Sequence, residues 1–351
     1  MNNPNTLFPP EWTHQHAVLL TWPHKATDWA LILEEVEQLY LQLAKEILKR
    51  ESLIIGCADE SKIQPILSAL SGFNEHRLQV KHIPSDDTWA RDHGPITIYK
   101  EGSATLLDFS FNAWGGKFSF DQDNLINSRL REANAFQLYQ FETIDMVMEG
   151  GALESNGQGV LLTTSECLLN PSRNPHLSKQ GIEQKLTETL GIKQILWLDD
   201  GYLAGDDTDS HIDTLARFCA EDLICYVKCD DQNDEHYEAL KKMEVQLQAF
   251  RQPDGQPYRL EALPMTDAIF DDSERLPATY ANFLIINDAV LAPTYGVKQD
   301  QEALTTLQRC FPSREIVPIN CLPLIKQHGS LHCITMQIPS PTISNIESNC
   351  C

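Results

Sequence analysis

Residues 17–57 decide the fold, because they contain one complete strand–helix–strand unit. The apolar run AVLLTW at Ala17–Trp22 predicts the first strand, and SLIIGC at Ser52–Cys57 predicts the second. Between them, an amphipathic helix is predicted for Asp28–Lys49, and such alternation is typical of an α/β protein. Its apolar residues recur at helical spacing: Ile32, Val36, Leu39, Leu43 and Ile47.

Two later stretches repeat this order, and the first strands of the three units end in the similar letters LLTWP, LLTTS and LAPTY. A spacing of roughly 70 residues over a chain of 351 would accommodate about five copies of one β-rich unit with a single helix. The second unit comprises Gly159–Thr164, a helix at Leu177–Leu190 and Gln194–Leu198, and the third comprises Ala289–Thr294, a helix at Gln301–Phe311 and Glu315–Asn320.

Repeats of this kind usually close into a ring, which removes exposed sheet edges. Because no Gly/Ser/Pro-rich linker divides the chain, residues 1–351 are expected to form one domain. A doubly wound sheet is the alternative, although the first strand is not followed by a GxGxxG turn. Other predicted elements are strands at Leu78–Ile83, Ile96–Tyr99, Ala104–Phe111, Leu223–Val227, Phe283–Asn287 and Leu331–Ile338, and a helix at Asp234–Phe250.

The charge balance bears on the possible partners. Lys and Arg total 27 and Asp and Glu total 50, which gives a formal net charge of −23. A protein that binds phosphate backbones needs a basic surface, so nucleic acid is not an expected partner, whereas a small cationic molecule is. The sequence contains no apolar run long enough for a membrane span and shows no signal-peptide pattern at its start, so a cytoplasmic location is expected. The ten cysteines are then reduced thiols, most of them buried.

Four polar segments lie where predicted strands end. They are Asp86–Pro95 (DDTWARDHGP), Glu149–Glu154 (EGGALE), Gly205–Thr214 (GDDTDSHIDT) and His328–Gln337 (HGSLHCITMQ). If Ser210–Asp213 is extended, His211 and Asp213 point to the same side. The third segment is compatible with a divalent metal site or with a general acid–base group beside a cationic substrate.

A cysteine with histidine and carboxylates from distant segments is the pattern of covalent hydrolysis. Several carboxylates would repel an oxyanion but would bind a guanidinium, whose forked donors match carboxylate oxygens. We therefore predict attack of a thiolate on a guanidinium carbon. Two alternatives are a metal-dependent amidohydrolase built on Asp206–Asp213 and a non-catalytic protein that binds polyamines through its acidic surface.

The sequence resembles the agmatine deiminase and bacterial-type peptidylarginine deiminase family of the guanidine-modifying (pentein) superfamily. The resemblance implies a five-bladed pseudo-symmetric α/β propeller of ββαβ units and an enzyme without metal or cofactor. It also implies a homodimer, since family members are often dimers. The matching segments, in family order, are Pro10–Trp12, Leu20–Pro23, Trp89–Pro95, Phe111–Lys117, Glu149–Gly151, Cys167–Pro171, His211–Asp213 and His332–Cys333.

The resemblance also implies roles for particular residues. Cys333 is similar to the family nucleophile, and His211 to the histidine that protonates departing ammonia and then activates water. Asp92 and Asp213 match the carboxylates that hold the guanidinium, and Glu149 matches a glutamate that orients histidine and substrate. The expected substrate-binding residues are Trp89, Asp207, Trp114 and Asn282.

The sequence departs from the family pattern at Asp207, where agmatine deiminases usually carry Glu, and at Ser210, where they usually carry Gly. Agmatine is the expected substrate because its second cationic end suits an acidic pocket. Free arginine would need an arginine side chain for its α-carboxylate, and among the motifs only Arg91 and Arg173 offer one. The expected reaction gives N-carbamoylputrescine and ammonia, and peptidylarginine or free arginine are the alternative substrates.

Overall fold

The computed structural model describes residues 6–73 and 75–343. Strands β1–β19 are, in order, Thr6–Leu7, Gln15–Trp22, Ser52–Cys57, Leu78–His82, Ile96–Lys100, Ser103–Ser110, Gln140–Val147, Glu154–Ser155, Val160–Thr164, Gln194–Leu198, Ala216–Ala220, Leu223–Lys228, Arg259–Pro264, Phe270–Asp271, Glu274–Arg275, Leu284–Ile286, Ala289–Thr294, Glu315–Asn320 and Thr335–Pro339. Helices α1–α10 are Leu33–Leu48, Glu60–Ala69, Ala90–His93, Ala113–Gly116, Ile126–Glu132, Ser165–Leu168, Lys179–Leu190, Tyr237–Ala249, Asp300–Cys310 and Leu322–Ile325. Short 3₁₀ turns cover Asp28–Leu31, Glu75–Arg77, Asp123–Leu125, Gly150–Ala152 and Ile212–Thr214.

One connection pattern recurs in the mixed sheets. A first strand pairs antiparallel with a second, and after a helix a third strand pairs parallel with that second strand. Among the described residues this ββαβ order occurs five times, in the strand groups β19-β2-β3, β5-β6-β7, β8-β9-β10, β11-β12-β13 and β16-β17-β18. The first group takes its leading strand from the C-terminal end of the chain, where β19 pairs with β2.

The three units predicted from sequence are confirmed as strand–helix–strand units with parallel strands. Ala17 pairs with Ser52, Val160 with Gln194, and Ala289 with Glu315 at the start of each ladder. A parallel neighbour requires a crossover, and an amphipathic helix provides it while covering the sheet. In α1, Val36, Leu39, Leu43 and Ile47 are buried as the periodicity predicts, and Ile32 packs partly buried beside them.

Several local predictions are wrong. The strand predicted at Leu331–Ile338 begins only at Thr335, because residues 331–334 form a turn. Ser210–Asp213 is not extended: Ser210 has a φ of 62°, and Ile212–Thr214 is a 3₁₀ turn. The sequence analysis also missed α2, α5, β7, β11 and β13.

The described cysteines are free thiols and all of them are buried, as predicted for most of the ten. Cys350 and Cys351 lie outside the described residues. Within residues 6–73 and 75–343, no helix combines the length and the apolar character that crossing a bilayer requires.

Candidate active site

The expected catalytic residues come from turns that lead into the first strand of each ββαβ unit. Asp92 precedes β5, Glu149 precedes β8, and His211 precedes β11. Asn282 precedes β16, and Cys333 precedes β19. Because these five turns occupy equivalent positions in successive units, each unit contributes one polar group to a common centre.

Hydrogen bonds join these leading turns to one another. The backbone N–H of Arg91 donates to the carbonyl of Cys333 at 3.1 Å, and that of Gly151 donates to Asp92 Oδ1, also at 3.1 Å. On the other side, the Asn282 amide donates to the carbonyl of Asp213 at 3.4 Å. The backbone N–H of His332 in turn donates to Asn282 Oδ1 at 2.9 Å, which joins the C-terminal turn to the same centre.

The crowding around Gly151 explains why the EGG segment requires a glycine at this position. A Cβ atom at this position would lie 2.5 Å from His211 Nδ1, 2.9 Å from Asp92 Oδ1 and 3.2 Å from Asp213 Oδ2. Three of the predicted site residues therefore converge on the space that a side chain would need. No substitution larger than hydrogen fits without displacing them.

Cys333 is 6% exposed and lies in the wall of a cavity. Asn282 Oδ1 lies 3.3 Å from both its backbone nitrogen and its Sγ atom. Burial, and then the charges of Asp213 and Asp92, raise the pKa of this thiol well above its ordinary value. In the empty site the sulfur is therefore a thiol rather than a thiolate.

His211 is buried between two carboxylates at distances longer than ordinary hydrogen bonds. Its Nδ1 lies 3.6 Å from Asp92 Oδ1, and its Nε2 lies 3.8 Å from Glu149 Oε2. Among the described residues, the Nε2 atom has no hydrogen-bond partner. Although burial opposes the charged ring, Asp92, then Cys167 and Glu149, raise the pKa of His211 well above its ordinary value. The ring is thus an imidazolium that can give up a proton.

Glu149 is completely buried and is held from the opposite side by Arg173, whose Nε donates to Oε1 at 3.0 Å. Burial alone would raise the pKa of Glu149, but the nearby His211 ring and the charge of Arg173 lower it. The Cys167 thiol lies 3.8 Å from Glu149 Oε2 and is completely buried. Neither Arg173 nor Cys167 was predicted from the sequence to belong to this cluster.

The metal alternative placed a site at Asp206–Asp213, but these carboxylates point to different partners. Asp206 accepts from Thr208 and Ser210, Asp209 pairs with Lys117 and Arg173, and Asp213 accepts from His332. Over the described ranges, the group of three potential ligands whose atoms all lie within 4.8 Å of one another is Glu149, Cys167 and His211. The guanidinium of Arg173 already neutralises that glutamate.

Asp92 and Asp213 are the two carboxylates expected to hold a guanidinium, and their environments differ. Asp92 Oδ2 accepts from Trp114 Nε1 at 3.1 Å, and burial raises its pKa to about 6, with only partial relief from His211. Burial would also raise the pKa of Asp213, but the hydrogen bond and charge of His332 hold it below its ordinary value. The Oδ1 atom of Asp213 is buried and has no hydrogen-bond partner within residues 6–73 and 75–343.

The cavity beside Cys333 has a volume of about 220 Å³. This is smaller than the roughly 300–1,000 Å³ of pockets that take drug-sized ligands, and it suits a small linear molecule. Its lining includes five aspartates, and none of the described residues that line it is Lys or Arg. The acidic members are Asp28, Asp87, Asp92, Asp206 and Asp207.

All four predicted substrate-binding residues, Trp89, Trp114, Asp207 and Asn282, line this cavity. Asp87 accepts from the indole nitrogens of Trp89 and Trp29, both at 2.9 Å, and so fixes the aromatic wall. Gly329 lies against the same wall, since a Cβ there would come within 2.0 Å of the Trp89 ring.

The two arginines considered for an α-carboxylate do not reach the cavity lining. Arg91 is buried and bonds to the His332 carbonyl and to Gln337. Arg173 pairs with Glu149 and Asp209.

His332 and Glu11, which form a buried hydrogen bond of 2.7 Å, received no role from the sequence. The signal was present, because both stand in segments that resemble the family.

A solved structure identifies the fold, and a family model identifies the family. DDAH from Pseudomonas aeruginosa matches 93% of this chain and 100% of its own at 12% identity with a TM-score of 0.51, a likeness of fold that places the chain among pentein-type α/β proteins. The family model of Porphyromonas-type peptidyl-arginine deiminase matches residues 7–339, so the chain belongs to that family.

Relatives at higher identity carry different names. A Porphyromonas gingivalis structure provisionally named an arginine deiminase is 50% identical with a TM-score of 0.90, over 96% of this chain and 99% of that one. An agmatine deiminase from C. jejuni with substrate bound is 36% identical with a TM-score of 0.89, over 96% and 97%. Agmatine deiminase of Pseudomonas aeruginosa is 31% identical over 95% of both chains.

Proposed function

We propose that this chain hydrolyses agmatine to N-carbamoylputrescine and ammonia, with Cys333 as the nucleophile. The observation that carries the proposal is the cavity itself, in which one thiol faces a lining with five aspartates and no described lysine or arginine. Carboxylates bind guanidinium and ammonium groups, and agmatine has one of each. Relatives named agmatine deiminase match this chain over nearly its whole length.

The same lining argues against free arginine as the best substrate. An α-carboxylate placed among aspartates would be repelled and would have no cationic partner, because Arg91 and Arg173 are already paired with other groups. An unpaired buried charge costs several kcal/mol or more. A molecule that lacks the carboxylate avoids this cost.

In the proposed reaction, Asp92 and Asp213 hold the guanidinium, the Cys333 thiol releases its proton to solvent, and the thiolate adds to the central carbon, forming a C–S bond. His211 gives its proton to one nitrogen, the C–N bond breaks, and ammonia leaves. His211 then takes a proton from water as the oxygen bonds to the carbon. The C–S bond breaks last while the hydroxyl proton passes to solvent, which restores the thiolate and leaves a neutral ureido product. Glu149 holds His211 throughout, and no metal or cofactor takes part.

The substrate itself favours the thiolate. Asp213 and Asp92 are among the causes that raise the pKa of Cys333 in the empty site. A bound guanidinium offsets these negative charges and adds a positive charge near the sulfur, which lowers the thiol pKa. The nucleophile therefore forms when its target is in place.

The arrangement of the five units supports a closed five-bladed propeller that forms one domain, residues 1–351. Hydrogen bonds join the leading turns at four of the five junctions, and the C-terminal strand β19 joins the N-terminal strand β2. Closure of this kind leaves the polar centre on the ring axis. A cytoplasmic location and a homodimer stay predictions.

The substrate assignment is tested by measuring ammonia release from agmatine, free arginine and an arginine peptide blocked at both ends. The expected result is a kcat/KM for agmatine at least tenfold above that for either competitor, which corresponds to about 1.4 kcal/mol. A higher kcat/KM for the peptide would contradict the choice of agmatine while leaving the reaction type intact.

One observation favours the peptide as a second candidate. A groove of about 650 Å³ lies beside the cavity and shares Asp28, Asp87, Trp89, Trp114 and Phe118 with it. A chain attached to the guanidino group would find space there. The comparison of substrates therefore decides between two alternatives that the geometry accommodates.

The nucleophile is tested with a matched pair of thiol variants. Cys333→Ala should lower kcat by at least about 10⁴-fold, because no other group replaces the sulfur. Cys310→Ala, at the end of α9, removes an equally buried thiol outside the cavity and should leave kcat within about threefold. Mass spectrometry of enzyme quenched during turnover should find an amidino adduct on Cys333, and an adduct on another cysteine would contradict the assignment.

A further inference from the structure

His332, the residue before the proposed nucleophile, lies between two carboxylates and is 2% exposed. Its Nδ1 is 2.7 Å from Asp213 Oδ2, and its Nε2 is 2.7 Å from Glu11 Oε2. A carboxylate can only accept hydrogen bonds. Both ring nitrogens must therefore carry a proton, unless one of the carboxyl groups is neutral.

The surroundings of both carboxyl groups keep them ionised. Besides His332, Glu11 accepts from Arg217 at 2.7 Å and from the backbone N–H of Ile285 at 2.7 Å. Burial would raise the pKa of Glu11, but Arg217 and His332 lower it far below its ordinary range. With Glu11 and Asp213 both negative, a histidine that donates twice is an imidazolium.

We propose that His332 is a positioning residue, held as an imidazolium between Glu11 and Asp213, which fixes the Asp213 carboxylate for the substrate. By occupying Oδ2, it leaves Oδ1 of Asp213 as the buried oxygen without a partner. A substrate guanidinium would donate a hydrogen bond to this oxygen. This inference rests on the proposed function for the identity of the substrate.

The same residue connects the carboxylate to the nucleophile through the backbone. The N–H of His332 donates to Asn282 Oδ1, which also contacts Cys333 Sγ. The carbonyl of His332 accepts from Arg91 Nε at 3.4 Å. A rotation of the imidazolium would thus disturb Asp213 and the turn that presents the sulfur, so the ring fixes both.

Glu11 becomes part of the site by this argument, although it does not line the cavity. It belongs to the Pro10–Trp12 segment near the N-terminus. The carboxylate holds the distal nitrogen of His332 and is itself held by Arg217, which is completely buried. The N-terminal segment therefore supports the charge state of the ring.

Two variants separate the two bonds of the ring. In His332→Asn, the side-chain amide replaces Nδ1 and retains the donor to Asp213. In His332→Gln, the longer amide replaces Nε2 and retains only the donor to Glu11. The Gln variant should raise the KM for agmatine by about 10–100-fold, in the range found when an outer partner of a binding group is lost, and the Asn variant should raise it less. A purely structural role would give equal losses in both variants, together with equal falls in Tm, and would overturn the proposal.

Proton NMR of the substrate-free wild-type enzyme provides a readout that does not depend on folding of the variants or on the reaction. Two low-field N–H signals from one imidazole ring, assigned by selective ¹⁵N-histidine labelling and absent in His332→Asn, are expected at neutral pH. A single N–H on His332 would overturn the proposal. Because this measurement uses no substrate, failure to turn over agmatine would sink the proposed function and leave this result standing.

Discussion

Two buried histidines flank the proposed substrate position, and their surroundings differ. His211 lies 3.6 and 3.8 Å from its two carboxylates and has an unpartnered Nε2, whereas both nitrogens of His332 lie 2.7 Å from theirs. A loosely paired ring can lose its proton without breaking short hydrogen bonds. A tightly paired ring keeps both protons and acts as a fixed charge. The geometry of the pair, rather than the residue type, separates proton transfer from positioning.

The series of ion pairs that continue from Glu149, beside His211, and from Glu11, beside His332, also differ. Beyond Glu149, Arg173 pairs with Asp209, which in turn pairs with the partly exposed Lys117. Beyond Glu11, Arg217 pairs with Glu154, which is buried, and burial raises the pKa of Glu154 to about 7. The first chain ends at a partly exposed side chain, and the second ends at a buried one. Solvent can therefore screen and supply protons on the side where the mechanism needs proton exchange.

The largest effect is expected for substitution of His211. Replacing it with Gln removes the acid that protonates ammonia, so kcat should fall by roughly 10²–10⁴-fold with little change in KM. Steady-state kinetics with agmatine measures both constants. His236 is a matched control, because it is equally buried but contacts Asp234 at 2.7 Å and the backbone N–H of Ala204, neither of which is a predicted site residue. His236→Gln should leave kcat within about threefold, and an equal loss in both variants would contradict the assignment.

A variant that displaces His211 without removing it tests whether the position of its ring is needed for turnover. In Gly151→Ala, the new Cβ would lie 2.5 Å from His211 Nδ1, so the ring must move. A displacement of this order should lower kcat/KM by about 10²-fold. Crystal structures or kinetics of the variant would check it.

Gly181→Ala is the control for that substitution. Gly181 lies in α7, where a Cβ would meet nothing closer than 3.5 Å. Activity should be unchanged, and the free energy of unfolding should rise by about 0.5–1 kcal/mol, since alanine favours helix over glycine. Full activity of Gly151→Ala would show that the convergence on this glycine is not needed for turnover.

The pH profile should give the smallest effect. Burial raises the pKa of Asp92 to about 6, and only the ionised carboxylate holds a guanidinium. Going down in pH through about 6, kcat/KM should fall about tenfold per unit as Asp92 becomes protonated. At alkaline pH it should fall again, once His211 loses its proton above its raised pKa. A profile flat from pH 7 to pH 5, with circular dichroism unchanged, would contradict this role for Asp92.

Much of the scaffold could be predicted from residue patterns. Strands Gln194–Leu198, Ala289–Thr294 and Glu315–Asn320 have the predicted bounds, because each is a short run with several apolar residues between clear breaks. Helix α2 was missed because Pro65 interrupts a weakly amphipathic stretch. The strand predicted from Leu331 was too long. Its apolar residues match a strand, but the backbone N–H of His332 donates to Asn282 and the carbonyl of Cys333 accepts from Arg91, and these distant partners hold a turn there.

The candidate site was predicted in part. The four polar segments identified Asp92, Glu149, His211 and Cys333, and the structure brings their turns together. Glu11 lies in a segment that resembles the family but received no role, and Arg173 was not assigned to Glu149. The local sequence does not show which residue, 321 or 24 positions away, such a charged side chain will contact.

The order of strands and helices, the repeated unit and the identity of the reactive groups follow from the sequence, because periodicity and residue type are local properties. The protonation states, the free oxygen of Asp213 and the difference between the two histidines were decided by the tertiary structure. They depend on burial and on distances of a few ångströms between residues far apart in the chain, and only packing of the five units sets those distances.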